Sequence, residues 1–245
     1  MPVKKLLNIC CGFGRLERTL AKLGVANQIH SVDIAKGAIK SARKRAQEEN
    51  LHHITYQVAD INSQALPEAA FDVIWANGAL HHIKDLEVVI PNLYRALLPG
   101  GLLIASEYVG PNYQQPGARQ AELINAVRHI LPEELRQGNS DFEQRHYGKI
   151  YSPMPISWFL ENDASESIRS AEVIPVLRSV FDQVEERPFL GTLLYYAFDE
   201  NFYRNYNPSN PKHVEVLNSL FALEEGLFKV GEIKNDNALI ICRKH

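Results

Sequence analysis

The stretch that decides the fold is LNICCGFGR at residues 7–15, where an apolar run gives way to a helical pattern. Residues 5–10 are typical of a short buried strand, and leucines recur at helical spacing from residue 16 to residue 23. Gly12 and Gly14, at the junction, permit a positive φ and a close approach of backbone N–H groups to a ligand. The first turn of the helix also has N–H groups without helical partners. The stretch therefore predicts a strand, a ligand-binding turn and a helix.

Alternating strand-like and helix-like segments continue through the first 110 residues. The predicted strands are residues 28–32, 54–58, 71–76 and 102–106, and the predicted helices are residues 35–49 and 86–97. Pro91 is expected to interrupt the second helix, and LLPGG at residues 97–101 is expected to form a turn. Uniformly apolar strands that alternate with helices predict an α/β fold, with a parallel sheet covered by helices on both faces.

Beyond Gly110 the sequence has helical patterns separated by polar loops. Helices are predicted at residues 118–136, 163–181, 192–206 and 212–230, and strands at residues 183–187 and 238–242. DASE at residues 163–166 resembles an N-terminal helix cap, although Pro175 is expected to interrupt the helix that follows. No linker-like tract divides the chain. We therefore expect a single domain over residues 1–245, with a first half at 1–110 and a second half at 111–245.

The composition excludes several classes of protein. With 45% hydrophobic and 22% charged residues among 245, the chain is neither disordered nor fibrous. A net charge of −3 predicts no nucleic-acid partner, and no apolar run is long enough to predict a membrane helix. Cys10, Cys11 and Cys242 lack the spacing of a metal site or a disulfide framework. We therefore predict a cytoplasmic protein without a metal ion.

Asp33 gives the glycine turn a more specific meaning. It follows the second predicted strand, where a carboxylate can accept hydrogen bonds from both hydroxyls of a ribose. A dinucleotide fingerprint would have a third glycine where this sequence has Glu17, and an acid is unfavourable beside a pyrophosphate. The pattern therefore favours a nucleoside cofactor without phosphate over a nicotinamide dinucleotide, although a nicotinamide-dependent reductase remains one alternative.

Five segments in order resemble the motifs of class I S-adenosylmethionine-dependent methyltransferases. They are NICCGFG at residues 8–14, Asp33, ADI at residues 59–61, FDVIWAN at residues 71–77 continued by LHHI at residues 80–83, and LPGG at residues 98–101. The resemblance implies a Rossmann-like sheet of seven strands, mostly parallel with the last antiparallel. It also implies helical insertions after strands five and six, at residues 111–160 and 191–230.

The resemblance also implies where S-adenosylmethionine binds. Asp33 matches the family's ribose-binding acid, while Asp60 and the backbone of Ile61 match its adenine site. The whole implied set is Asn8, Cys10, Gly12, Gly14, Asp33, Ile34, Asp60, Ile61 and Asn77. Two positions depart from the family pattern, because Asn8 replaces an acid and Cys10 replaces the first glycine. Cys10 is expected to be tolerated if its φ is negative.

Candidate catalytic residues lie where strands four and five are expected to end. His81 and His82 follow strand four and Glu107 ends strand five, so each could accept a proton from an acceptor hydroxyl. Residues 77–80, NGAL, differ from the Asn/Asp-Pro-Pro-aromatic motif of nucleic-acid amino methylases. The second half of the chain is expected to bind the acceptor.

The sequence thus predicts methyl transfer to a small molecule or a glycan, most readily at oxygen, by an enzyme of bacterial type. The alternative is a regulator or scaffold that binds S-adenosylmethionine without catalysis, which the departures at Asn8 and Cys10 favour. The acceptor and the oligomeric state stay open, and a homodimer is one of the states that the sequence allows.

Overall fold

The computed structural model describes residues 2–137 and 150–245, which form two compact units. The first unit comprises Met1–Tyr113, Asp163–Arg187 and Ala238–His245, and the second comprises Gln114–Asn162 and Pro188–Asn237. The second unit therefore contains the predicted insertion at residues 191–230 and all but the first three residues of the one at 111–160. The organisation of residues 1–245 as a single domain stays a prediction.

A seven-stranded sheet forms the framework of the first unit. Its strands are β1 (Val3–Ile9), β2 (Ala26–Asp33), β3 (Ile54–Val58), β4 (Phe71–Asn77), β5 (Leu97–Tyr108), β6 (Gln183–Pro188) and β7 (Asn237–Arg243), in the spatial order β3-β2-β1-β4-β5-β7-β6. Neighbouring strands from β3 to β5 are parallel. β7 is antiparallel to β5, because Gly100 and Gly101 at the beginning of β5 exchange backbone hydrogen bonds with Lys244 after β7. The predicted seven-stranded, mostly parallel sheet is therefore confirmed.

The helices agree with the predicted alternation. They are α1 (Arg15–Lys22), α2 (Lys36–Glu48), α3 (Leu86–Ala96), α4 (Ala118–Ile130), α5 (Glu133–Arg136), α6 (Ile156–Asn162), α7 (Val173–Val180), α8 (Leu194–Ala197), α9 (Glu200–Asn205) and α10 (Pro211–Lys229). No helix in residues 2–137 or 150–245 combines the length and the hydrophobicity needed to cross a bilayer.

Both faces of the sheet are buried, as the uniformly apolar strands predict. Leu6 and Leu7 are neighbours in β1 and point to opposite faces, yet both are almost inaccessible to solvent. Leu6 packs in one core with Ile39 of α2, and Leu7 packs in another with Leu93 of α3. Residues at the carboxyl end of β1 are therefore held between two rigid layers, which fixes the position of the glycine turn that follows.

Two predictions around β5 are wrong. Pro91 lies inside α3 without ending it, because Ile90 and Leu93 on either side of it are anchored in the core. Residues 97–101 belong to β5 instead of a free turn, since the backbone of Gly100 and Gly101 pairs with Lys244. In both places tertiary contacts outweigh the local preference of proline and glycine.

The predicted helix over residues 163–181 is also wrong in its first half. Within this range a 3-10 turn at Ser170–Glu172 leads into α7, the only α-helical part, and Pro175 lies in the first turn of α7, where a missing N–H group costs no helical hydrogen bond. Asp163 Oδ1 accepts hydrogen bonds from the backbone N and from Oγ of Ser165, which makes a local turn. Ser167 has a φ of 51°, which is incompatible with a right-handed helix. This irregular segment supplies Ser165 and Glu166 to the site described below.

The second unit is helical and has its own core. Two predicted helices are divided there: residues 118–136 form α4 and α5 on either side of Leu131 and Pro132, and residues 192–206 form α8 and α9. Glu224 of α10 is buried and accepts hydrogen bonds from the backbone N–H groups of Leu193 and Leu194. A carboxylate thus satisfies donors at the beginning of α8, where the helix dipole favours negative charge.

Candidate active site

The turn between β1 and α1 has three residues in the left-handed region of backbone space. The φ angles are 50° at Cys10, 53° at Gly12 and 69° at Gly14. A Cβ at Gly14 would lie 2.5 Å from Oη of Tyr56, so only glycine fits there. Cys10 does not meet the condition of a negative φ under which its replacement of glycine was expected to be tolerated, and this residue bears the strain that a glycine would avoid.

Asp33, at the end of β2, is fixed against this turn. Its Oδ2 accepts a hydrogen bond from the backbone N of Gly12 at 2.8 Å, and its Oδ1 accepts one from the backbone N of Ala35, also at 2.8 Å. Because both oxygens are held by backbone donors, the carboxylate has one defined orientation. The sequence predicted this proximity from the strand–turn–helix–strand register.

Asp33 borders a cavity of about 350 Å³ at the carboxyl ends of the strands. Asp60 lines the same cavity, and its Oδ1 accepts hydrogen bonds from N and Nδ2 of Asn62. The lining residues are Cys10, Val32, Asp33, Ile34, Ala59, Asp60, Ile61, Asn62, Gly78, His82, Ile83 and Ser165. Apolar walls with two carboxylates suit a flat heterocycle joined to a sugar, because the walls cover the ring and the acids accept its N–H and O–H groups.

A second depression of about 440 Å³ lies on the other side of Cys10. It is lined by Asn8, Cys10, Cys11, Phe13, Arg15, Leu16, Arg45 and Asn77. Burial, together with the negative charges of Asp33, Glu107 and Asp60, raises the pKa of Cys10 to about 12, so its thiol stays protonated at neutral pH. Cys10 thus separates the two hollows as a small uncharged side chain and not as a nucleophile.

Asn8 and Glu17 form a buried pair beneath the second depression. Nδ2 of Asn8 donates to Oε1 of Glu17 at 2.9 Å, and both side chains are almost inaccessible to solvent. Within the described residues, Oδ1 of Asn8 and Oε2 of Glu17 have no hydrogen-bond partner. Two unpartnered buried acceptors are unfavourable unless a donor reaches them. They therefore fit a cationic donor such as the ammonium group of a bound amino acid.

Glu107 has a different position from the one its sequence context suggested. It is 2% exposed, and its Oε1 accepts hydrogen bonds from the backbone N of Ala79 and of Leu80, each at 2.9 Å. Its Oε2 accepts from Nδ1 of His81 at 2.7 Å. The carboxylate thus holds the 3-10 turn at Leu80–His82 and the ring of His81, and it lines neither of the two hollows.

His81 and His82 share the 3-10 turn but differ in environment. Burial disfavours protonation of His81, but the hydrogen bond and charge of Glu107 outweigh it and raise the pKa of this imidazole. Burial and the charge of His81 lower the pKa of His82. The rings lie 4.3 Å apart, and Nδ1 of His82 is 3.1 Å from Oγ of Ser165. Only His82 of the two lines the cavity.

Most of the predicted site residues therefore line two hollows that share Cys10, at the carboxyl ends of the strands. The predicted residues that line neither hollow are Gly12, Gly14, His81 and Glu107. Sequence reasoning missed Glu17, Ser165 and Glu166. The helical spacing could have predicted that Glu17 is buried. Leu20 and Ala21 follow it by three and four residues, so the three side chains lie on the same face of α1. No local signal indicated Ser165 or Glu166, since both were expected to belong to a helix.

Comparison with known sequences identifies the region that carries this site. A family model described as a methyltransferase domain matches residues 7–105. Malonyl-[acyl-carrier protein] O-methyltransferase of Serratia marcescens is 29% identical over 129 residues, 53% of this chain and 48% of that protein. Demethylmenaquinone methyltransferase of Anoxybacillus flavithermus is 24% identical over 189 residues, 76% of this chain and 73% of that protein. The chain spans about half the length of most of the curated relatives that it matches.

Solved structures share the fold along nearly the whole chain. The [4+2]-cyclase SpnF has a TM-score of 0.57 at 18% identity, with 99% of this chain and 75% of that chain covered. Phosphoethanolamine N-methyltransferase 2 of Haemonchus contortus, in complex with S-adenosyl-L-methionine, has a TM-score of 0.56 at 19% identity, with 99% and 49% covered. With the glycine turn, Asp33 and the strand order, the sequence matches assign residues 7–105 to the class I S-adenosylmethionine-dependent methyltransferase family, and the solved structures agree with its fold.

Proposed function

We propose that the chain transfers a methyl group from S-adenosylmethionine to a hydroxyl oxygen of a small-molecule or glycan acceptor. The observation that carries the proposal is the carboxylate of Asp33, which the N–H of Gly12 fixes at the wall of the apolar cavity of about 350 Å³. Asp33 would accept the ribose hydroxyls, while Asp60 and the backbone of Ile61 would hold the adenine. These roles agree with the family, whose cofactor is S-adenosylmethionine.

Asn8 would bind the methionine part of the cofactor. Its unpartnered Oδ1 can accept a hydrogen bond from the ammonium group, and Glu17 contributes negative charge one hydrogen bond away. Asn77 lines the same depression. The pair Asn8–Glu17 thus takes the place of the single acid that the family pattern has at residue 8.

When bound, S-adenosylmethionine would supply a methyl group attached to a positively charged sulfur. The methyl carbon would bond to the acceptor oxygen as its bond to sulfur breaks. The protein must hold the acceptor hydroxyl and remove its proton. Nε2 of His82, a residue at the cavity wall, would receive that proton. Glu107 would act as a positioning residue, because it holds His81 and the turn that carries His82.

The name of one relative and the net charge support the proposed acceptor class. The malonyl-[acyl-carrier protein] relative is an O-methyltransferase by name, which favours oxygen as the target, and the net charge of −3 does not favour a nucleic acid. Binding of the acceptor by residues 111–245 belongs to the same proposal, as does a cytoplasmic location, which suits the three free cysteines.

Turnover over an acceptor panel tests the proposal directly. Purified protein should bind S-adenosylmethionine and release S-adenosylhomocysteine with a hydroxyl acceptor but not with its O-methylated counterpart. The rival function, a regulator or scaffold that binds the cofactor without catalysis, is favoured by the strained Cys10. Cofactor binding without turnover over hydroxyl, amine and thiol acceptors would establish that rival.

A further inference from the structure

Two imidazoles and a carboxylate converge beside the cavity that Asp33 lines. Oε1 of Glu166 is 4.0 Å from Nε2 of His81, and Oε2 of Glu166 is 3.5 Å from Nε2 of His82. One ligand atom from each of the three side chains lies within 4.8 Å of the other two. Of these residues, His82 also lines the cavity, together with Asp33.

These separations suit a shared cation better than direct hydrogen bonds. A hydrogen bond from an imidazole N–H to a carboxylate is typically about 2.7–3.2 Å long, shorter than either distance. Ligand atoms placed about 2.0–2.2 Å from one metal ion lie roughly 3–4 Å from each other. The carboxylate of Glu166 therefore stands at the distance that a bridging ion would require.

The other nitrogen of each ring is already engaged. Nδ1 of His81 is 2.7 Å from Oε2 of Glu107, and Nδ1 of His82 is 3.1 Å from Oγ of Ser165. Both rings consequently present Nε2 towards Glu166. A histidine that binds a metal through one nitrogen usually has the other fixed by a carboxylate, a backbone carbonyl or a water molecule. Here a carboxylate fixes His81, and a hydroxyl takes the corresponding place at His82.

We propose that His81, His82 and Glu166 form a binding site for a divalent transition-metal cation, such as Zn²⁺ or Fe²⁺. Two nitrogen ligands and one carboxylate suit these ions, whereas Mg²⁺ and Ca²⁺ prefer oxygen ligands. The sequence predicted no metal because its cysteines lack a ligand spacing, and it separately placed Glu166 in a helix. The irregular segment around Ser167 brings Glu166 to the histidines instead.

Three protein ligands leave coordination positions of the cation open, and an acceptor molecule in the cavity could occupy one of them. Such a role of the cation, unlike its binding, rests on the proposed methyl transfer. An acceptor hydroxyl bound to the cation would lose its proton to bulk water more readily, because the cation stabilises the alkoxide. The cation would then replace His82 as the group that activates the acceptor oxygen.

Metal binding can be measured without any acceptor. Protein freed of metal by chelation is titrated with Co²⁺, followed by visible absorption, and with Zn²⁺, followed by calorimetry. One ion per chain is expected, with visible bands typical of nitrogen and oxygen ligation and no competition from Mg²⁺. Glu166→Gln keeps the shape of the side chain but removes its charge, and it should weaken Zn²⁺ binding by at least tenfold.

The chain contains its own matched control. Residues 51–54 repeat the tetrapeptide LHHI of residues 80–83, and His52 is exposed. The double variant His52→Ala/His53→Ala should bind Zn²⁺ like the wild type, whereas His81→Ala/His82→Ala should not. Thermal melting of both variants in the absence of metal shows whether they are folded. Equal loss in the two double variants, or binding by Glu166→Gln equal to wild type, would overturn the proposal.

Measurements of methyl transfer distinguish binding of the cation from its proposed role in the reaction. Chelation should lower methyl transfer, and Zn²⁺ or Fe²⁺ should restore it, while the affinity for S-adenosylmethionine stays unchanged. Full turnover by a protein that binds no Zn²⁺ or Co²⁺ would reject the metal site and leave the proposed function intact. A stoichiometric Zn²⁺ complex that never methylates any acceptor would support the site and contradict the proposed function.

Discussion

Nδ2 of Asn8 in β1 donates a hydrogen bond to Oε1 of Glu17 in α1, so a buried amide and a buried carboxylate are paired beside the glycine turn. The negative charge that the family pattern has on the strand is here carried by the helix. In the proposed cofactor site, Glu17 would supply the charge that an acid at residue 8 supplies in the family pattern.

The buried pair predicts what happens when the carboxylate is removed from residue 17 and when it is moved to residue 8. Glu17→Gln should weaken binding of S-adenosylmethionine about tenfold, because a charge-assisted contribution of roughly 1.4 kcal/mol is lost. The double variant Asn8→Asp/Glu17→Gln should recover most of the affinity, since the charge returns next to the ammonium group. Calorimetric titration measures both, with Glu48→Gln at an exposed position of α2 as the control. Unchanged affinity in Glu17→Gln would show that the pair has no part in binding.

Asp33 should be the residue on which cofactor binding depends most. Asp33→Asn retains the size of the side chain but loses charge and one acceptor, so we expect at least hundredfold weaker binding of S-adenosylmethionine. His82→Ala and Glu107→Ala should leave this affinity largely intact. Asp182→Asn, a substitution at an exposed aspartate, is the matched control in the same unit. Normal cofactor binding by Asp33→Asn would mean that the ribose site lies elsewhere.

The left-handed backbone at Cys10 predicts a difference between two small substitutions. Cys10→Gly relieves the steric strain of a Cβ at a φ of 50°, whereas Cys10→Ala keeps it. The glycine variant should therefore be more stable to urea than the alanine variant, by about 0.5–1 kcal/mol after the entropy cost of glycine. At an ordinary strand position alanine is the more stable of the two. If Cys10→Ala proves more stable than Cys10→Gly, the backbone strain at residue 10 is absent in solution.

Asp236 predicts how the stability of the second unit depends on pH. Burial, aided by the charge of Glu224, outweighs the hydrogen bond from Gln120 and raises the pKa of Asp236 to about 6. A carboxyl group whose pKa is higher in the folded state stabilises that state below about pH 4, and this contribution is lost as the pH rises through about 6. Asp236→Asn should therefore increase stability at pH 8 by about 2 kcal/mol and change it little at pH 4.

Chemical unfolding of the wild type and of Asp236→Asn at pH 4, 6 and 8 checks this dependence. Glu225→Gln, at an exposed position of α10, serves as the control, because its charge is solvated in both states. A constant difference between wild type and Asp236→Asn at all three pH values would contradict the predicted titration.

Local signals were sufficient for the framework of the site. The apolar strands, Gly12, Gly14 and Asp33 belong to consecutive elements, so their spacing in the sequence determines how they meet. The conformations of Cys10 and Ser167 could not be predicted, because each is imposed by packing against a local preference. Glu166 was missed for the same reason, since its position depends on a turn where a capped helix was expected.

The order of the sheet has a consequence for synthesis of the chain. β6 is an edge strand whose neighbour in the sheet is β7, although α8, α9 and α10 lie between them in sequence. Until residues 237–243 have left the ribosome, Gln183–Pro188 has no strand to pair with and β5 has an open edge. Loss of that single segment would therefore remove two strands from the sheet, and the exposed edge of β5 would become available to other chains.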